Sequence, residues 1–360
     1  MDSPLLLPYQ GRHLDLPNRV VMAPMTRGRA DDVTGVPHPL TKEYYAQRAG
    51  AGLIVSEGIW PEAHGKGGPG IPGLVTDAQV AGWREVTNAV HAAGGTIFAQ
   101  LWHVGRMTHP LNLPGGAVPV APSPVRIESE QIFTNAGDVD HVTPRALTAA
   151  EAEDLIAAFA AEARNAIRAG FDGVEVHGAN GYLIQQFLAE NTNRRTDRFG
   201  GSLTGRLRFA VEVVRAVAAE VGPERTGLRI SPDNPENEIA ERDPQATYRA
   251  LVDAVEPLGL AYLHVIERGA YPALADLRPR WSGTLIGNFN GPEPTGRAAG
   301  EKVLAADLAD LFSFGRLFIS NPDLPARFAT GAPLAPYDPA SVYGGGAEGY
   351  TDYPSLVPQH

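Results

Sequence analysis

Cysteine is absent from the 360-residue chain, and lysine occurs only at Lys42, Lys66 and Lys302. The first absence excludes disulfides, thiolate metal sites and a cysteine nucleophile. The second leaves no lysine at the end of a predicted strand, where a Schiff-base enzyme of barrel type would need one. No apolar run approaches the roughly 18 residues of a membrane helix, and residues 1–16 lack a basic segment followed by an apolar one. Neither a membrane span nor a secretory leader is therefore expected, and the expected location is cytoplasmic. Positive charge is also scarce: 30 Lys and Arg stand against 41 Asp and Glu, a net charge of −11. Without basic runs, such a chain is not expected to bind nucleic acid or an anionic membrane; a small molecule is the expected partner. Monomer and dimer both remain open. No His-Glu-x-x-His or other metal spacing occurs among the histidines (His13, His38, His64, His91, His109, His141, His264 and His360 included), so no metal site is expected.

What is present is an alternation of apolar runs and amphipathic stretches. Hydrophobic content of 43% supports a large core, while 40 Gly and 31 Pro point to many tight loops around it. Eight short strands are predicted: Val20 to Met22, Leu53 to Ser56, Thr96 to Leu101, Gly173 to Val176, Gly227 to Ile230, Tyr262 to Val265, Thr284 to Ile286 and Leu311 to Phe314. Helices are predicted over 41–49, 77–93, 148–169, 203–221, 244–255 and 296–306, with a last one near Pro322-Asp323. Thr76 is a plausible N-cap, and Thr148-x-x-Glu151 has the form of a capping box. Eight β/α units in this length give the α/β class and a (β/α)8 barrel, one domain over 1–360, with the Pro- and Gly-rich 104–147 as an inserted lid or hairpin. A doubly wound sheet is the alternative. Its Gly-x-Gly-x-x-Gly after the first strand is missing, and Pro24-Met25-Thr26 stands there instead.

The chain is organised around Phe171-Asp172-Gly173-Val174-Glu175-Val176-His177-Gly178-Ala179-Asn180-Gly181-Tyr182-Leu183. A buried strand breaks here into a Gly-punctuated turn carrying three polar side chains. His177 and Asn180, three apart, would share a face of a helical turn and could donate two hydrogen bonds to one carbonyl or nitro oxygen. Tyr182 would project elsewhere and deliver a proton from another direction. The plainer alternative is a His and an Asn that cap the turn and a Tyr that packs on the next helix.

Other strand ends add candidates: Pro24, Met25 and Thr26, then Gln100, Trp102 and His103, then Arg229. Gly287-Asn288 and Gly315-Arg316 follow the last two strands, the usual barrel phosphate site, where backbone N–H groups and Arg316 would grip oxygens. They are otherwise tight turns and a surface charge. Arg229 inside an apolar strand needs an acceptor: Glu57, Glu175 or an electron-rich ring. Gln100 with Arg229 fits the pyrimidine edge of an isoalloxazine. His103 is a ligand, a base or a satisfied packing residue, and Trp83 and Trp281 are core or surface aromatics.

Several long motifs, in order and across nearly the whole chain, resemble the Old Yellow Enzyme family of FMN-dependent ene-reductases. They are Asn18-Arg19-Val20-Val21-Met22-Ala23-Pro24-Met25-Thr26-Arg27, Gln100-Leu101-Trp102-His103-Val104-Gly105-Arg106, and His177-Gly178-Ala179-Asn180-Gly181-Tyr182-Leu183. Asn193-Arg194-Arg195-Thr196-Asp197-Arg198-Phe199-Gly200-Gly201-Ser202, Gly315-Arg316 with Asn321-Pro322-Asp323-Leu324, and Tyr343-Gly344-Gly345-Gly346-Ala347-Glu348-Gly349-Tyr350 complete the set. The resemblance implies a barrel holding FMN non-covalently, with NAD(P)H as hydride donor. It places Pro24, Met25, Thr26, Gly58, Gln100 and Arg229 around the flavin ring, and Gly287, Asn288, Gly315 and Arg316 around its phosphate and ribityl end. It makes His177 and Asn180 the grip on the substrate oxygen and Tyr182 the proton donor, with Thr26, Trp102 and Tyr350 lining the substrate pocket. Thr26 rather than Cys resembles the classical branch. Gly58 stands where many members carry Ala, and Gly287-Asn288-Phe289-Asn290 is bulkier than the family's usual turn. The expected reaction is reduction of the C=C bond of an α,β-unsaturated carbonyl or nitro compound. Reduction of nitrate esters or nitroaromatics is the nearest rival. A flavin carrier without turnover and a lyase or aldolase acting on a phosphorylated substrate are more distant ones.

Overall fold

The computed structural model describes residues 3–356; Met1, Asp2 and residues 357–360, His360 among them, lie outside the described residues. Eight parallel strands close into a barrel: β1 (Val20–Met22), β2 (Leu53–Ile59), β3 (Ile97–Leu101), β4 (Gly173–Gly178), β5 (Thr226–Ile230), β6 (Tyr262–Glu267), β7 (Thr284–Phe289) and β8 (Leu311–Phe314). The last strand pairs with the first, Phe312 opposite Val20 and Phe314 opposite Met22, so the sheet has no edge. All eight predicted strands are present. The second runs on to Ile59, past a register shift between Val55 and Gly58.

Alternation along each strand divides the apolar residues into two cores. Val20, Met22, Ile54, Ile97, Ala99, Val174, Val176, Leu263 and Leu285 face outward into the layer shared with the helices. Val21, Leu53, Val55, Phe98, Tyr262, Ile286 and Leu311 face inward. Large inward rings fit because some inward positions are Gly: a Cβ on Gly227 would lie 2.4 Å from the Tyr262 ring. The inner core is completed from below by Tyr9, Leu14 and Leu16 of a hairpin that pairs Tyr9–Gln10 with Asp15–Leu16. Two-residue strands carry no readable period, and this floor was not expected from sequence.

The helices follow the expected order. Asp77–Ala92 and Ala149–Arg168 both open on a reciprocal capping box, Thr76 with Gln79 and Thr148 with Glu151. Leu203–Val221, Pro244–Val255 and Arg297–Ala305 stand within a residue of the expected bounds. The helix expected over 41–49 runs Leu40–Ala46, and the closing one runs Leu324–Thr330. Short helices at Leu183–Leu188, Ala273–Leu277 and Arg316–Ser320 were not foreseen. Segment 104–147 contains an antiparallel hairpin, Gln131–Thr134 with Gly137–Asp140, tied to the loop after β1 by Asn135 Nδ2 donating to Asp32 Oδ2 at 2.6 Å. Trp83 and Trp281 are both core residues. Among the described residues no helix is long and apolar enough to cross a membrane.

Candidate active site

Above the apolar interior, the next inward positions are polar. Gln100 Nε2 donates to Glu175 Oε1 at 2.9 Å, and Glu175 Oε2 meets His264 Nδ1 at 2.8 Å. His264 Nε2 meets Ser313 Oγ at 2.8 Å, and Asn288 Nδ2 donates to the same Oγ at 2.8 Å. Five strands thus contribute one side chain each to a belt across the barrel. Burial alone would raise the Glu175 carboxyl, but His264, Arg229 and Gln100 outweigh it and hold it below its ordinary range. Arg229 lies in this belt without joining it. It is 5% exposed, and among the described residues it forms no ion pair and its Nε has no partner. Burial lowers its pKa, with the Glu175 charge acting the other way. Glu57, the other acceptor considered, instead accepts the Arg27 backbone N–H at 3.4 Å. A buried, charge-bearing donor with no acceptor is costly, so this guanidinium is set for a partner the chain does not supply.

Arg229 opens into a cavity of about 560 Å3 at the C-terminal mouth of the barrel. His177, on the last inward position of β4, and Asn180 form one wall of it with Tyr182 and Trp102. The two donors do not converge through a helical turn, as the spacing suggested. His177 is still in the strand, and Asn180 sits in a left-handed turn with φ 54°, followed by Gly181 at φ 74°. Asn180 holds that strained conformation because its backbone is bonded on both sides. Its N–H donates to Ser231 Oγ at 2.8 Å, and its C=O accepts from Asn237 Nδ2 at 2.7 Å. His177 Nδ1 accepts the Ala179 N–H at 3.3 Å, which leaves the proton of the neutral ring on Nε2. Burial, reinforced by Arg229, pushes the imidazole down to about 3, so the ring is neutral near pH 7. Tyr182 does not project away: its ring lies 5.2 Å from His177 and 4.9 Å from Trp102, edge-on to both. Burial, reinforced by Tyr343, pushes its phenol up to about 12, so it carries its proton.

The opposite wall is built by Asn288, Phe289, Asn290, Gly291, Gly315 and Arg316, with Pro24, Met25 and Thr26 beside it. Arg316 donates to the carbonyls of Gly291, Pro292 (2.5 Å) and Glu293 (2.7 Å), so it gathers the loop after β7 around one cation. The roof comes from the C-terminal segment, where Tyr337, Pro339, Val342 and Tyr343 line the cavity. Arg27 and Arg29 strap it down. Arg27 donates to Val342 O and Gly349 O, and Arg29 to Ser341 O, Val342 O, Gly346 O and Glu348 O, all within 3.1 Å.

Of the expected site residues, Pro24, Met25, Thr26, Gln100, Trp102, His177, Asn180, Tyr182, Arg229, Asn288, Gly315 and Arg316 meet around this one cavity. Three do not line it. Tyr350 is fully buried, stacked on Tyr44 at 4.2 Å with the Arg29 guanidinium 4.3 Å from its ring centroid, and Tyr343 lines the cavity instead. Gly58 lies against the Trp102 indole, where a Cβ would come within 2.2 Å of the ring, and Gly287 is packed toward Phe312 and Leu274. His103 is a satisfied packing residue: Nε2 meets Glu62 Oε1 at 3.2 Å and Nδ1 accepts the Gly105 N–H.

A closed parallel barrel whose mouth sets the neutral side chains of His177 and Asn180 beside a buried guanidinium with an unpartnered Nε has the layout of an enzyme of the barrel class. Residues 4–335 match the family described as NADH:flavin oxidoreductase / NADH oxidase. Flavin oxidoreductase hxnT of Emericella nidulans is 42% identical over 98% of this chain and 97% of its own length. 12-Oxophytodienoate reductase 7 of Oryza sativa subsp. japonica is 40% identical over 98% and 95%. The solved structure of morphinone reductase in complex with tetrahydroNAD superposes with a TM-score of 0.94 at 45% identity, over 99% of this chain and 98% of that one. The chain belongs to the Old Yellow Enzyme family and is a flavin oxidoreductase of that type.

Proposed function

We propose that the chain holds FMN non-covalently and, with NAD(P)H as hydride donor, reduces the activated C=C bond of α,β-unsaturated carbonyl or nitro compounds. The single observation that carries the reading is Arg229: a buried guanidinium whose Nε has no protein partner, set in a cavity wall beside Gln100. That donor set suits the pyrimidine edge of a flavin, where two-electron reduction places negative charge. Pro24, Met25, Thr26, Gln100 and Arg229 would hold the ring, while Asn288, Gly315 and Arg316 would hold the ribityl phosphate. Bound there, FMN supplies the hydride chemistry that none of these side chains has.

The chain's own contribution is orientation and proton placement. His177 Nε2–H and the Asn180 amide donate to the substrate oxygen and draw electron density from its β-carbon. Neutral donors serve better than an imidazolium here, because a cation beside Arg229 would be repelled. Tyr182 holds a proton at its phenol oxygen and gives it to the α-carbon. Trp102 and Tyr343 wall the cavity and limit water. That relatives include a 12-oxophytodienoate reductase and a morphinone reductase supports conjugated ketones as the substrate class.

The test is anaerobic. Purified protein is expected to be yellow, to bleach with NADH or NADPH, and to recover colour with cyclohexenone under exclusion of oxygen. Protein that binds no added FMN, or that bleaches and is not reoxidised by any enone or nitroalkene, contradicts the reading.

A further inference from the structure

Asn234 is 1% exposed and lies on the loop after β5, behind the cavity wall. Its Oδ1 faces two groups that can only donate, the Glu236 backbone N–H at 3.2 Å and the Arg268 guanidinium at 3.3 Å. An amide with its oxygen so committed must turn its NH2 the other way. That NH2 meets the side-chain oxygen of Asn180 at 3.1 Å. The Asn180 amide is therefore set in turn: oxygen to the rear, NH2 free. Among the described residues Asn180 Nδ2 has no hydrogen-bond partner, and Asn180 lines the cavity.

We propose that Asn234 is a positioning residue that fixes the polarity of Asn180, so that the amide presents a donor and not an acceptor to the substrate oxygen. The proposal rests on the reading of His177 and Asn180 as the oxygen grip, and adds what decides its sign. An asparagine amide is nearly symmetric in shape, so packing alone does not choose between its two orientations. A flipped Asn180 would set a carbonyl oxygen against the substrate oxygen, replacing an attraction with a repulsion. The polarity descends through fixed donors: Arg268 and the Glu236 N–H orient Asn234, Asn234 orients Asn180, and Asn180 meets the ligand. Arg268 is itself held by Glu236, which keeps its guanidinium on the Asn234 oxygen.

The test uses the FMN-loaded protein and 4-hydroxybenzaldehyde, with the dissociation constant read by calorimetry. Asn234→Asp keeps the shape and reverses the chemistry. Arg268 favours its ionised form, which can only accept, so Asn180 must turn its NH2 to the rear. Binding is expected to weaken roughly a hundredfold, and roughly tenfold for Asn234→Ala, which leaves Asn180 free to take either orientation. On an Asn180→Ala background neither change at 234 is expected to weaken binding further, apart from the direct repulsion of the added charge, which acts on both backgrounds alike. FMN content is expected to stay unchanged throughout. Binding by Asn234→Asp as tight as wild type, while Asn180→Ala binds weakly, overturns the proposal and leaves the oxygen grip standing. Wild-type binding by Asn180→Ala overturns the grip as well. A greater loss in Asn234→Ala than in Asn234→Asp would mean that the residue only fills space. Should Asn234→Asp not fold, Asn234→Ala decides in its place: a loss confined to the chain with Asn180 intact supports the proposal, and equal losses on both backgrounds overturn it.

Discussion

The two walls of the cavity are built on opposite plans. On the β4–β5 side, His177 and Asn180 are pinned from behind by Ala179, Ser231, Asn234 and Asn237, with His177 Nε2 and Asn180 Nδ2 left for the cavity beside Tyr182. On the β7–β8 side, Asn288 bonds Ser313, and Arg316 bonds three loop carbonyls. The first wall is ready before any ligand arrives. The second has its polar groups engaged locally, so a phosphate held there as proposed would compete with carbonyl oxygens for Arg316. Preorganised donors matter most where charge develops during reaction, because their reorganisation would otherwise add to the barrier. A wall that only anchors a phosphate, as proposed for the second, would have no such demand, since that charge does not change.

This contrast ranks the expected effects of substitution. Tyr182→Phe removes the only phenol of the first wall, and reoxidation of the reduced protein by an enone is expected to slow by about a hundredfold or more in stopped flow. Reduction by NAD(P)H should stay near normal, and an unchanged enone step would remove Tyr182 from proton delivery. His177→Ala and Asn180→Ala are each expected to weaken binding of a phenol by roughly tenfold to a hundredfold, read by calorimetry, with FMN retained. Arg316→Ala should act on the other wall alone. FMN affinity is expected to fall by about tenfold in a fluorescence titration, while phenol binding by the loaded protein does not change. A loss of phenol binding there would show that the walls are not independent.

The smallest expected effect is that of pH. With His177 near 3 and Tyr182 near 12, neither titrates around neutrality. The KM for a neutral enone is expected to stay flat from about pH 5 to pH 9, and a break near pH 6.5 would mean that the imidazole ionises. The same burial has a consequence for stability. An imidazole lowered in the folded state takes up its proton first in the unfolded chain. His177 therefore contributes stability above about pH 6.5 and loses it as pH falls toward about 3.

The barrel was legible because strand alternation and helix caps are local signals, and a strand's last residues fall at the mouth wherever the sheet closes. Gln100, His177, Arg229 and Asn288 were found that way. Residues that depend on loop conformation were not. Ser231, Asn234 and Asn237 reach Asn180 from the segment after β5, where Asp233, Asn237 and Glu238 adopt left-handed backbones, a choice with no period to read. The tail posed a different problem. Tyr343 and Tyr350 sit seven residues apart in a Gly-rich stretch, and either could have faced the cavity. Arg27, 315 positions before Val342, and Arg29 decide it by clamping the segment so that Tyr350 is stacked on Tyr44 and Tyr343 lines the wall. The floor hairpin was missed for want of length, and its apolar residues matter only once the barrel above them is closed.

Arg229, buried beneath the cavity with its Nε unpartnered, is proposed to serve a flavin ring. The most direct test is a titration of flavin-free protein with FMN, comparing wild type with Arg229→Met, which keeps much of the bulk and removes the charge. The wild-type chain is expected to bind one FMN per chain, and the variant to bind it at least tenfold more weakly while remaining folded by circular dichroism. Equal affinity in the two proteins would contradict the account.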